Sequence, residues 1–286
     1  MTHVISVVNM KGGVGKTTTT VMLGEFLAGE FGERVLLIDM DPQSSLSITM
    51  LGPEQYRLIN EAGRTLSSLI EDAIHPDAEP RFNMSRTIAH NASTVKKLSG
   101  VDLLPSSLDA IPQQRHLSQM YLAKRTRQKA WEILRDGVEP ILDDYTYVLI
   151  DCPPSVDLMT MNALVASHAY VIPTLPDVLS TYGVKPLRDE VRKFSEESEL
   201  PSFLAIGTIV TRYRRSAASD GQVTMMQNMP DRYPRLIGPW VPDTDKISSS
   251  AAFRQYPSLK NKYGYRNYKT LWELTANFKQ RVEERA

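Results

Sequence analysis

The chain has 286 residues, and its 33 basic and 33 acidic side chains cancel, which excludes a global electrostatic pull on nucleic acid and leaves such contact to a local patch. A hydrophobic content of 42% with 23% charged residues is that of a globular protein and excludes global disorder. The single cysteine, Cys152, rules out an intrachain disulfide and a cysteine-ligated metal site, and no run of 18 apolar residues predicts a membrane span.

Val4-Ile5-Ser6-Val7-Val8 predicts a strand and Thr17 to about Phe31 a helix, with Lys11-Gly12-Gly13-Val14-Gly15-Lys16-Thr17-Thr18 joining them. Strand, glycine loop and helix is the context of a phosphate-binding loop. Glycines let successive backbone N–H groups turn toward one anion, and the helix N-terminus adds partial positive charge. Gly12, Gly13 and Gly15 form that cradle, Lys16 reaches the β- and γ-phosphates, and the Thr17 hydroxyl is placed for the Mg2+ of a nucleotide. Met10 stands where the general pattern has its first glycine, and a second lysine, Lys11, precedes the glycine pair.

Arg34 to Ile38 reads as a strand buried on both faces, delivering Asp39-Met40-Asp41-Pro42-Gln43 to the edge where open α/β sheets bind ligands. Taken alone, the two aspartates could equally cap a turn. From Gly52 to about Gly100 the pattern loosens around a helical stretch, Leu66 to Ile74, and 52–100 reads as a peripheral insertion in one domain spanning 1–286. Val101 to Pro105 is a strand stopped by proline. Ile111 to about Leu142 has mixed helical spacing, with Lys124, Arg125, Arg127 and Lys129 read as a solvated face in preference to a DNA-contacting patch.

Tyr147 to Asp151 is a second buried strand ending in an acid, which would bring Asp151 beside Thr17 to hold Mg2+. Tyr170 to Pro173 predicts a strand, Val178 to Glu197 a helix, and Phe203 to Val210 another strand. The basic cluster Arg212, Arg214 and Arg215 follows, which Arg188, Arg192 and Lys193 would extend; it is either a phosphate-contacting DNA patch or a solvated loop. Leu236 to Val241 is the last predicted strand. The terminal helix, about Tyr268 to Glu284, gathers Leu271, Leu274, Phe278 and Val282 on one face.

K-G-G-V-G-K-T-T resembles the deviant Walker A box of the ParA/MinD superfamily of ATPases, ParA partition proteins in particular. The D-x-D-P-Q of Asp39 to Gln43, the D-x-P-P-S of Asp151 to Ser155 and the segment Thr160 to Leu164 resemble the same family, so the likeness covers roughly 4–43 and 147–164. It implies a mostly parallel, twisted sheet flanked by helices. It implies ATP and Mg2+ as cofactors, with nucleotide held by Lys11 to Thr18, Val14 and Thr18 included. Lys11 would cross a dimer interface to the partner's nucleotide, Asp41 would orient the attacking water, and Asp39 would support Mg2+ through its water shell. Pro242 and its neighbours would pass the adenine, although Ser248 to Phe253 departs from the family's E-A-P-S-like stretch.

The implied function is a cytoplasmic, nucleoid-associated switch. ATP favours a homodimer, the dimer binds DNA nonspecifically, and hydrolysis stimulated by a ParB-like partner releases it. No membrane is expected, because Lys279, Arg281 and Arg285 are balanced by Glu283 and Glu284 at the end of the chain, unlike a basic amphipathic anchor. No basic-then-apolar leader or helix-turn-helix domain is expected ahead of a first strand that starts by His3. The rivals are a MinD-like membrane-cycling ATPase and a P-loop synthetase acting on a small substrate.

Overall fold

The computed structural model describes residues 1–122, 130–230 and 232–285; Lys124, Arg125, Arg127 and Lys129 lie outside the described residues. Six strands form one sheet: β1 (His3–Val7), β2 (Val35–Asp39), β3 (Val101–Leu104), β4 (Tyr147–Asp151), β5 (Ala169–Thr174) and β6 (Leu204–Val210). Their order is β3-β2-β4-β1-β5-β6, and every pairing is parallel. The short apolar runs form these strands because helices cover both faces and leave no solvated side to alternate toward. From β1 the chain first turns to β2 on one side and later to β5 on the other. The carboxyl end of β1 is therefore a topological switch point, the place where open sheets form a crevice.

The connections are helical. Between β1 and β3 run α1 (Lys16–Phe31), α2 (Ser45–Leu51), α3 (Pro53–Glu61), α4 (Leu66–Ile74) and α5 (Met84–Thr87). Next come α6 (Ala110–Leu122) and α7 (Ile133–Val138), then α8 (Leu158–Val165) after β4, and α9 (Val178–Tyr182) and α10 (Val184–Glu197) after β5. Beyond β6 lie α11 (Ala217–Gln227), α12 (Asp245–Ser249), α13 (Leu259–Tyr263) and α14 (Tyr265–Glu283).

Side chains alternate across β1. Val4 and Val8 face a layer fed by α4, α6, α7, α8, α10 and α11, whereas Ile5 and Val7 face α1, α2, α3, α13 and α14. On α14, Leu271, Leu274, Phe278 and Val282 are all buried, each contributing about 1.5–3 kcal/mol, so that this helix spends its apolar face on the core. No helix among the described residues is long and apolar enough to cross a membrane.

Three expectations change. The helix expected over 178–197 is two helices meeting at Gly183, because Pro186 has no N–H to give the Tyr182 carbonyl four residues back. The strand expected over 236–241 is reduced to isolated bridges, Thr208 with Leu236 and Tyr213 with Pro242. It lies along β6, with Ile237 N donating to Thr208 O and Val241 N to Val210 O, but Pro239 between them has no N–H to continue the ladder. The stretch 52–100, expected at the periphery, sends Leu66, Ile70 and Ile74 into one core layer and Ala89, Ala92 and Val95 into the other. Ala89 also exchanges backbone hydrogen bonds with Leu103 along the outer edge of β3.

Candidate functional site

The turn after β1 is set by buried Asn9, whose side chain donates to Pro173 O at 2.7 Å and accepts from Lys11 N at 2.9 Å. Gly13 and Gly15 follow with φ of +74° and +83°, a region where a side chain is strained, which accounts for glycine at both. The Val14 carbonyl accepts from Thr211 Oγ1 at 2.7 Å in a buried hydrogen bond. Helix α1 then starts at Lys16 with no side-chain cap, so its first N–H groups point into the loop with nothing from a capping side chain to satisfy them. That is an anion cradle.

Parallel register places the acids. Asp151 is level with Val7 on one side and with Asp39 on the other. Thr17 Oγ1 donates to Asp151 Oδ2 at 2.6 Å, and Thr20 Oγ1 lies 3.4 Å from Oδ1. Both oxygens of Asp39 are engaged: Oδ1 accepts from Asp41 N at 3.1 Å, and Oδ2 from Ser47 N and Oγ at 2.8 and 2.7 Å. Asp41 in turn accepts from Gln43 N at 2.9 Å.

These buried charges do not cancel. Burial pushes the Asp39 carboxyl up to about 8, with Asp151 adding repulsion and the Ser47 hydrogen bonds opposing. Burial likewise pushes Asp151 up to about 7 against the Thr17 hydrogen bond and the Lys16 charge. Lys16 is lowered by its own desolvation, with Asp151 opposing. Carboxylate is in excess over ammonium at the floor of the site, and a hard oxygen pair such as Thr17 and Asp151 suits a small divalent cation.

Above this floor opens a cavity of about 690 Å3, within the range of small-ligand sites. Gly12, Gly13, Gly15, Lys16, Thr17 and Thr18 line one wall, with Asp41 and Gln43 beside them. Val241, Ile247, Ser248, Ser250 and Ala251 line the other. Asp39 and Asp151 sit fully buried beneath.

Pro242 is not among the lining residues; its neighbour Val241 is. Lys11 also stands aside, its Nζ donating to Ser180 Oγ at 2.8 Å and lying 3.7 Å from Asp177. Although desolvation acts the other way, Ser180 hydrogen bonds and the Lys11 charge hold the Asp177 carboxyl below its ordinary range. Sequence reasoning missed Thr211 and Arg212 as cavity residues. Arg212 is a non-glycine residue with φ of +48°, and its guanidinium lies 3.9 Å from Asp243.

An AAA domain family matches residues 2–205. An uncharacterized protein of Mycobacterium tuberculosis, Rv1708, is 34% identical over 82% of this chain, which spans 65% of that relative's length. The chromosome partitioning protein ParA of Caulobacter vibrioides is also 34% identical, over 77% of this chain and 73% of its own. The chain belongs to the ParA/MinD superfamily of ATPases. Among solved structures, cobyrinic acid a,c-diamide synthase of Mycobacterium smegmatis, with bound ATP analog and magnesium, is similar at 25% identity. It superposes with a TM-score of 0.71 over 96% of this chain and 93% of its own.

In this ParA/MinD-superfamily chain, the basic residues weighed for DNA contact are mostly paired with acids. Arg192 lies 3.4 Å from Asp189 and 3.9 Å from Glu196, and Lys193 lies 3.8 Å from Glu197. Arg212 and Arg214 share Asp243. Arg188 interacts with the Tyr170 hydroxyl, whereas Arg215 is exposed.

Proposed function

We propose that this chain is an ATP-driven partition switch of the ParA kind. The observation that carries the reading is the convergence of Lys16, Thr17 and Asp41 on one glycine-cradled cavity, with Asp151 bonded to Thr17 beneath it, in a chain 34% identical to a ParA over 77% of its length.

The backbone N–H groups of the Gly12 to Thr18 loop would bind the β- and γ-phosphates, with Lys16 adding its ammonium. Thr17 and Asp151 would hold Mg2+, which supplies positive charge to the phosphate oxygens. Asp41 faces the cavity and is the group to orient water for attack, acting by placement because phosphoryl transfer relies mainly on positioning and charge. Asp39, with both oxygens engaged, positions Asp41 by accepting its N–H. Lys11 would leave Ser180 to reach the nucleotide of a second copy, making the ATP state a homodimer. That dimer would bind DNA nonspecifically in the cytoplasm and be released by hydrolysis that a ParB-like partner stimulates. The cargo would be a plasmid, a chromosome or another assembly.

Binding to random-sequence duplex DNA in ATP, ADP and no nucleotide, across a salt series, tests the reading. Binding confined to ATP, and falling steeply with salt, is the expected result. Absence of binding in every nucleotide state at low salt would defeat it. The synthase likeness supports a second reading, ATP use coupled to a small acid substrate, which would then take its place.

A further inference from the structure

Between Asp245 and Glu273 the chain has no acidic residue. Residues 246–272 hold six of its 33 basic side chains, so the remainder carries 27 basic against 33 acidic ones and is net negative. Lys262 is internal, buried against Glu25. The other five, Lys246, Arg254, Lys260, Arg266 and Lys269, are exposed. Among the described residues only Lys269 has an acidic partner, Glu273 at 3.6 Å, whereas Arg192, Lys193, Arg212 and Arg214 all do.

Packing gathers four of them, Lys246, Lys260, Arg266 and Lys269. The Lys246 stem lies where a side chain on Gly264 would meet it at 3.3 Å, which puts Lys246 at the start of α14. Lys260 sits over the Tyr268 ring, 4.8 Å from its centre. Along α14, Tyr265, Lys269 and Trp272 follow a helical stripe, with Arg266 one turn before Lys269. All four are exposed, opposite the buried Leu271, Leu274 and Phe278. Acids near this surface include Glu30, which accepts from the Tyr268 hydroxyl, and the bracketing Asp245 and Glu273.

We infer that this face, formed by Lys246, Lys260, Arg266 and Lys269, is where duplex DNA docks through its phosphate backbone. The inference rests on the partition reading and moves its DNA contact away from the 188–215 cluster. Point charges on long flexible stems neutralise phosphates without reading bases, as nonspecific binding requires. The same loop also reports on nucleotide. Ile247, Ser248, Ser250 and Ala251 line the cavity, whereas Lys246, at the start of that stretch, is exposed and does not line it. A nucleotide in the cavity therefore touches the segment that carries Lys246, one of the four cations of the face.

The test compares wild type with the triple variant Lys260→Glu, Arg266→Glu, Lys269→Glu and with a second, Arg192→Glu, Lys193→Glu, Arg215→Glu. Each is titrated with a random-sequence duplex in ATP over a salt series. Basal ATPase and thermal melting serve as fold controls, since none of the six residues lines the cavity. The first variant is expected to lose at least about tenfold in affinity, with a salt slope shallower by roughly 2–3, while the second stays near wild type. Loss confined to the second variant would overturn the assigned face but leave DNA binding standing. A wild type that ignores duplex DNA would overturn both. If it instead binds anionic lipid vesicles, and only the first variant loses that binding, the face belongs to a membrane.

Discussion

Glu25, midway along α1, and Lys16, at its first turn, are both buried charges, yet only one is fully answered inside the chain. Glu25 accepts from Lys262 Nζ at 2.8 Å, from Tyr263 Oη at 2.7 Å and from Ser93 Oγ at 2.7 Å, and Lys262 also donates to Thr94. One cation meets one anion, and the surrounding hydroxyls take up remaining hydrogen bonds. Two and a half turns of helix away, Lys16 faces the charge of Asp151, a buried carboxyl that also raises its buried neighbour Asp39, and among the described residues no second buried cation answers the pair. A closed cluster fixes α13 and the segment holding Ser93 and Thr94 onto α1, whereas an open one leaves free energy to be gained from a ligand that brings phosphate and metal together. Buried charge alone does not mark a functional site; imbalance at the edge of a cavity does.

The comparison breaks most visibly at Lys262. Lys262→Met strands Glu25 in the core and should cost about 3–5 kcal/mol in chemical denaturation, and adding Glu25→Gln should recover much of it. A loss under about 1 kcal/mol would mean the cluster is not closed as described. At the other end, Mg2+ and ATP at 100 to 1,000 times Kd should stabilise wild type by about 3–4 kcal/mol. Lys16→Ala should abolish that gain, and Asp41→Ala should keep it while stopping phosphate release; equal nucleotide affinity in wild type and Lys16→Ala would refute the cradle.

The open cluster also predicts a pH dependence. Unfolded aspartates titrate near 3.8, but folded Asp151 and Asp39 titrate at about 7 and 8. Between those limits the folded state holds the extra protons, so this pair's contribution falls as pH rises and levels off only about one unit above the Asp39 value. Denaturation without nucleotide should show a loss on the order of 2–3 kcal/mol from each carboxyl between about pH 5.5 and 8, and a flat profile there would show that the carboxyls are better compensated than their surroundings suggest. The smallest expected effect belongs to Thr211→Val, which strips the Val14 carbonyl of its hydroxyl donor. It should cost about 1 kcal/mol, with Thr211→Ser restoring it; a neutral valine would show that the loop holds its shape unaided.

Much of this was legible in the sequence because it is local. A five-residue apolar run ending in aspartate at Asp39 or Asp151, and a glycine loop between strand and helix, declare both element and site within a few residues. What was not legible depends on distant partners or on a single proline. The partner of Lys11 is Ser180, on a helix beyond four further strands, and no local pattern joins them. Pro186 and Pro239 were visible but were outweighed by the apolar periodicity around them, although each removes one N–H that the expected element needed. The 52–100 stretch looked peripheral because its buried residues are too widely spaced to form a single amphipathic pattern, and they serve two different layers. Arg212 reads as a surface cation until its left-handed backbone turns it to the cavity wall.

Both margins of the sheet are occupied by the chain itself. Ala89 and Ala92 bond to Leu103 and Val101 along β3, and residues 235–241 bond to Thr208 and Val210 along β6. A strand offered by another molecule finds those backbone groups already taken, so the sheet is poorly suited to growth by strand addition, whether into a continuous intermolecular sheet or a fibril. Self-association is thereby directed to the strand ends and helix faces, where side-chain chemistry rather than bare backbone decides which copies meet and when they part.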